Sequence, residues 1–451
     1  MNTLIRNAHV ISMDGDVGEL QGGDVLISGD RIEAVGVNLN YPEDTVIVDA
    51  SGKFLIPGLV NAHIHLWQTL LRGVATDWTA PNYMKNMHRG LATLFQPDDI
   101  RISNLAGALN QIDSGTTTVV DWCHNNPTGD HTDGAIEGLE EAGIRALFLH
   151  GSPKSAPGDG QKHFSEIPMA RKEIERLRKG KFSGSGDTLS LGLAILGPAY
   201  STYATTREDM LLAKELGLIA SMHVGGGAMV VPDGFEKLAE VDLLLEGTNV
   251  VHGNNLSNDT LGLALDRGVS VTVTAETELQ MGFGNPLTGR LRAMGAPVSI
   301  GPDIESAVSG DMFATMRLTL QHQRNLDNLP LIEKDGFVGF EVPITCEEAL
   351  RWATIDGAKM AQLDTQIGSI TPGKKADLVL LDRRMNMSPL GDAASAIVLH
   401  ANSGNVESVM IDGRFHKRAF KLTYENCSRV LATVDVSRER ILSEFANLNP
   451  T

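Results

Sequence analysis

Five residues in this 451-residue chain have the types and placement to hold a metal ion and activate water. His63 and His65 close the apolar run IPGLVNAHIH. His223 closes IASMHV, His252 closes NVVHG, and Asp303 closes APVSIGPD. In an extended strand residues i and i+2 face the same side, so His63 and His65 point one way with Ile64 opposite. Taken alone, such a pair could serve as hydrogen-bonding groups in a core. Three further polar residues, each ending an apolar run in the same manner, are hard to explain by packing. Imidazoles with a carboxylate suit a divalent transition metal that keeps one position open for water.

Such residues need strands that converge. Between about residues 59 and 365, short apolar runs (TTTVVDW, IRALFLHG, LSLGLAILG, LGLIASMHV, TNVVHG, VSVTVTA, APVSIGPD) alternate with helical stretches such as MARKEIERLRKG and SNDTLGLALDRG. Repeated strand–helix–strand spacing means parallel βαβ units. Counting LVNAHIH there are about eight strands, as in a closed (β/α)8 TIM-type barrel, where the C-terminal strand ends carry the chemistry. Residues 1–58 read instead as short β-branched strands cut by Gly, Asp and Asn, a texture that returns in ADLVLLD and VESVMIDGRF. The expected domains are a small β-sandwich from both termini (1–58 and 366–420), a catalytic barrel (59–365) and a C-terminal helical extension (421–451).

Composition narrows the partners. There are 38 Lys+Arg against 56 Asp+Glu, a net charge of −18, which argues against nucleic acid, since phosphate binding needs clustered cations. The three cysteines, Cys123, Cys346 and Cys427, are too few and too scattered for a disulfide framework and fit a reducing cytoplasm. The stretch MNTLIRNAHVISMDG lacks the pattern of a signal peptide, and no apolar run approaches the roughly 20 residues of a membrane helix.

The segments GKFLIPGLVNAHIH and IGSITPGKKADLVLLD (367–382), with their order and separation, resemble the amidohydrolase superfamily over nearly the whole chain. The branch they look most like is that of the cytosine deaminases, guanine deaminases and triazine hydrolases. The resemblance implies one metal held by His63, His65, His223 and Asp303, with His252 contacting substrate or the hydrolytic water. Zinc is the expected metal; iron, manganese and cobalt also suit such ligands. It further implies a small-molecule substrate and a homo-oligomer. Dinuclear members of the superfamily carry a bridging lysine at the end of strand 4. Here LGLAILGPAYST has none, and Lys154 in HGSPKS follows strand 3, which favours one metal.

One departure bears on mechanism. Aminohydrolases of this branch carry a Glu just after the strand-5 histidine, which passes a proton to the leaving ammonia. This chain reads His223-Val-Gly-Gly-Gly-Ala-Met, with Gly226 at that place and no acid before Asp233. Glycine lets backbones approach but donates no side-chain proton. Glu276 and Glu278 in TAETELQMG, and His124 in VVDWCHN, are possible substitutes; for the glutamates a solvated loop or a helix start is the plain alternative. Trp67, Gln68 and His88, in the aromatic and Met-rich segment after His65, are candidate contacts to a flat apolar substrate, or equally loop packing. Met312, Phe313 and Met316 read as core.

The expected activity is thus hydrolysis of a C–N bond in a small planar heterocycle. Asp303 takes the proton of the attacking water and His252 steadies the developing oxyanion. An amide-, urea- or carbamate-type hydrolase or a dehalogenating one is the alternative that Gly226 raises. A non-catalytic scaffold is the remote one.

Overall fold

The computed structural model describes residues 2–184, 188–389 and 391–448. Five strands come first: β1 (Asn2–Ile11), β2 (Glu19–Ser28), β3 (Arg31–Gly36), β4 (Val46–Asp49) and β5 (Lys53–Pro57). Eight barrel strands follow: β6 (Leu59–Ile64), β7 (Thr116–Cys123), β8 (Arg145–Gly151), β9 (Leu189–Ile195), β10 (Ala220–Val224), β11 (Asn249–His252), β12 (Ser270–Val273) and β13 (Ser299–Ile300). Then come β14 (Leu378–Asp382), β15 (Val406–Ile411), β16 (Arg414–Arg418) and β17 (Lys421–Leu422).

β6 to β13 pair in sequence order, and every pairing is parallel. Parallel strands are covered on both faces and so read as continuous apolar runs rather than alternating ones. β7 (TTTVVDWC) and β8 (RALFLHG) are buried at every position. The helices between them have local stop and start signals. Pro97–Asp113 opens with a proline in its first turn and a reciprocal Gln96/Asp99 cap. Tyr203–Leu216 is capped by Thr202 and ends at Gly217 in the left-handed region.

The barrel closes between β6 and the end of β13, through the metal-site candidates themselves. The His65 amide donates to the Asp303 carbonyl at 2.9 Å, and the Asp303 amide donates to the His63 carbonyl at 3.1 Å. The sequence places Asp303 at the end of a continuous strand; regular pairing instead stops at Ile300, with an isolated bridge from Ile64 to Asp303. Pro302 cannot donate to a ladder. Gly301 lets the two backbones meet: a Cβ there would stand 2.5 Å from the His63 carbonyl oxygen.

The strands from the two ends form one mixed sheet of nine, in which β5 lies between β1 and β14. It has its own core of Ile5, Val10, Val25, Ile27, Leu55 and Leu378, all buried. β17 extends this sheet past residue 420, and Cys427–Leu448 is a helix. Met312, Phe313 and Met316 start the helix Met312–Asp335 and are fully buried in the main core. Among the described residues no helix is long and apolar enough to cross a membrane.

Candidate active site

Four side chains from three parts of the barrel rim converge. His63 and His65 come from β6 and the residue after it, His223 from β10, and Asp303 from beyond β13. Each offers one ligand atom, and these atoms lie within 4.8 Å of one another. The Asp303 Oδ1 stands 3.2 Å from the Nε2 of both His63 and His65, and the Nε2 atoms of His63 and His223 are 3.1 Å apart. All four residues are buried.

Their electrostatics match a metal centre. Burial lowers the His63 imidazole to about 4 and holds His223 well below its usual value, so both are neutral near pH 7. Burial opposes charge on Asp303, but the imidazoles of His63 and His65 beside it outweigh it and keep the carboxyl below the carboxylate range. The Nδ1 of His65 donates to the Trp122 carbonyl at 2.6 Å, which aims the lone pair of its Nε2 at the cluster. Neutral imidazoles and one carboxylate, drawn together with too few protons to satisfy one another, fit a divalent transition metal.

Supporting residues hold this set. His252 and Asp303 have φ of +69° and +75°, a left-handed backbone that side-chain-bearing residues rarely adopt, and such strain gathers at functional positions. The Nδ1 of His252 lies 2.9 Å from the Thr274 hydroxyl and 3.4 Å from Glu278 Oε1. Glu278 is fully buried and also accepts from the Thr274 amide and from Asn254. With Nδ1 engaged, the Nε2 of His252 is left for the cavity. Asp121 accepts from the Leu66 amide and from Asn104, fixing the turn after His65; burial pushes its carboxyl to about 7.

A cavity of about 280 Å³ opens over the cluster. His65, His223, His252 and Asp303 form its floor, with His88 and His124 on one wall, so these two candidates do reach it. The other contact candidates lie elsewhere. Trp67 is wholly buried behind the wall, packed on Phe95, His88 and His124. Gln68 donates to the Tyr83 hydroxyl and accepts from Ser306, so it positions a wall residue without lining the cavity itself. Glu276 and Glu278 belong to the helix Ala275–Met281. Glu276 turns toward Asp311 and Thr315, and burial there raises its carboxyl to about 7. Glu278 lies behind His252. Neither lines the cavity.

Gly226 lines the cavity with φ of +63°, and the Phe283 ring fills the space a side chain would need: a Cβ there would meet it at 2.9 Å. The sequence did not single out Phe283, Tyr200 or the 225–229 loop as wall residues. Lys154, noted only for its position in sequence, also reaches the cavity. Its signal was available: it follows the C-terminal end of a barrel strand.

Residues 54–415 match the model of the amidohydrolase family. The chain is 28% identical over 411 residues to 5'-deoxyadenosine deaminase of Methanothermobacter thermautotrophicus, covering 88% of this chain and 90% of that one. It is 28% identical over 455 residues to 5-methylthioadenosine/S-adenosylhomocysteine deaminase of Acetivibrio thermocellus, covering 96% of each. Two solved structures share the fold: an adenosine deaminase from Xanthomonas campestris with bound zinc (TM-score 0.82, 23% identity, 98% of each chain) and atrazine chlorohydrolase from Arthrobacter aurescens complexed with zinc (TM-score 0.84, 19% identity, 97% of this chain and 100% of that one). The ligand cluster, the barrel that carries it and the match over most of its length together place this chain in the amidohydrolase family.

Proposed function

We propose that this chain is a mononuclear metal-dependent aminohydrolase that replaces an exocyclic amine of a purine-like heterocycle with oxygen. The convergence of His63, His65, His223 and Asp303 under one cavity carries the reading. The deaminases among its relatives support the choice of substrate class. Zinc is the metal proposed, on the strength of the ligand set.

A metal held by these four residues supplies the Lewis acidity that makes water nucleophilic near neutral pH. Asp303 lies against His63 and His65 and is placed to take the proton of the attacking water. His252, held from behind by Thr274 and Glu278, presents Nε2 to the cavity, placed to contact the hydrolytic water or the oxygen on which charge develops. Tyr83, Tyr200, Met281 and Phe283 offer rings and apolar surface for a flat substrate.

A second reading, hydrolysis with a better leaving group such as halide, is favoured by one observation. Asp303 is the sole carboxylate residue among the described residues lining the cavity.

The test is metal content by ICP-MS on protein purified without added metal, followed by ammonia release from 6-aminopurine nucleosides. About one equivalent of metal and ammonia formation are expected. Two equivalents would refute the mononuclear site. Chloride release from a 6-chloropurine nucleoside without ammonia from its amino counterpart would favour the second reading.

A further inference from the structure

The proposed hydrolysis, on which this inference rests, leaves one proton without a donor. An amine leaves carbon readily only once protonated. The loop after His223 offers no acid, and Phe283 occupies the space beside Gly226. The donor must therefore come from another wall of the cavity.

Lys154 stands on such a wall. It lies three residues past the end of β8, is 7% exposed, and lines the cavity. Its Nζ sits 5.4 Å from the centre of the Trp122 ring and 5.0 Å from that of Tyr200. The same Trp122 ring packs against His223 at 4.3 Å, so the ammonium and a metal ligand share one indole. No carboxylate pairs with Lys154 among the described residues, in contrast to the other buried cations of the chain. An ammonium taken from water without a counter-ion is costly, and a fold that keeps one there leaves it for a ligand. The titratable groups facing it are Asp303, the imidazoles of His88, His124 and His223, and the Tyr200 hydroxyl.

We propose that Lys154 is the catalytic proton donor to the leaving nitrogen, in the place of the carboxylate that Gly226 lacks. The water oxygen forms the new bond to the trigonal carbon while one water proton passes to Asp303. The carbon–nitrogen bond breaks with its electron pair on nitrogen. That nitrogen takes a proton from the Lys154 ammonium and departs as ammonia. The proton on Asp303 then recharges Lys154. One water is consumed, one ammonia is released, and the protons balance. Burial brings Lys154 down to about 8 while Asp303 supports its charge, so it can both hold and release a proton near neutral pH.

The experiment compares wild type, Lys154→Gln and Lys154→Arg, each loaded with zinc and checked for equal metal content. Substrates are a 6-aminopurine nucleoside and its 6-chloro counterpart. Both variants should lose on the order of 100- to 1,000-fold in kcat on the amino substrate, because a guanidinium keeps its proton. The chloro substrate should change less than about threefold, since chloride leaves unprotonated. Wild-type kcat should fall as pH rises and the donor is lost, below the ordinary lysine range, and this limb should vanish in Lys154→Gln. Full activity in Lys154→Arg would make the residue an anchor for an anionic substrate group and overturn the proposal. So would equal losses on both leaving groups. A second readout needs no turnover: labelling of Lys154 in metal-free protein by a small amine-reactive reagent, followed across pH by mass spectrometry. A midpoint near 8 supports the assignment and one in the ordinary lysine range overturns it. If metal-loaded wild type acts on neither substrate, the reading of function falls, and the labelling midpoint judges Lys154 by itself.

Discussion

Arg145 opens barrel strand β8 and Lys154 follows its other end, and the two buried cations are treated in opposite ways. Arg145, at the bottom of the barrel, makes two hydrogen bonds to Asp377, at 2.7 and 3.1 Å, and a third to Asp412 at 2.5 Å. Asp412 is shared with Lys375, which also pairs with Asp30. Burial works against the Arg145 charge, yet these two carboxylates hold its proton more tightly than usual. This network ties the barrel to the terminal sheet. Lys154, at the top, has aromatic faces and neutral imidazoles around it, and no carboxylate partner among the described residues. A charge that serves the fold is satisfied by the fold. A charge left unsatisfied under a cavity is kept for a ligand. In barrels of this kind the bottom face serves stability and the top face chemistry.

Four variants test that contrast. His63→Ala should have the largest effect, removing a ligand: metal content should fall to background by ICP-MS and turnover by more than about 1,000-fold, while the sheet end stays folded by circular dichroism. Retained metal would mean that the centre is not built on His63. Arg145→Met should cost about 3–5 kcal/mol in chemical denaturation, because Asp377 is left buried and unpaired, with metal content unchanged. A loss of under about 1 kcal/mol would show that the seam is wetter than its burial implies. Glu278→Gln should lower kcat by about 10- to 100-fold with metal retained, since it frees the His252 ring without touching a ligand. An unchanged kcat would remove Glu278 from the support of His252. Lys154→Met should have the smallest effect on stability, neutral or slightly stabilising by thermal unfolding, because no partner is stranded. A loss as large as that of Arg145→Met would collapse the distinction between the two ends.

The positions of the candidate metal ligands were legible because each is a polar residue closing an apolar run: His63 and His65 after LVNA, His223 after IASM and Asp303 after APVSIGP, with His252 after NVV legible in the same way. The barrel itself was legible from β-branched runs separated by helix-length segments. The outlying candidates were less so. Trp67 and Gln68 follow His65 directly and sit close to the site, but which way a turn aims its side chains depends on the helix packed behind it. Here Ser103, in the helix Pro97–Asp113, donates to the carbonyls of Leu66 and Trp67 and pins that turn. Glu276 and Glu278 are two residues apart in a helix, so they face different sides, one toward Asp311 and one toward His252.

The sequence by itself determined which residue types stand at the strand ends, that eight parallel strands must bury both faces, and that no acid follows His223 before Asp233. The tertiary structure decided which of the two cations is left without a carboxylate among the described residues. Arg145 and Lys154 are both buried, and nothing local to either residue says which will find a carboxylate. Asp377 and Asp412 are more than 200 residues away in sequence from Arg145 and reach it only because β14 and β15 pair into the sheet beneath the barrel. Pairing of the buried cations Arg145, Lys375 and Lys417 is a long-range event. The unpaired one becomes visible only when every chain segment around it is in place.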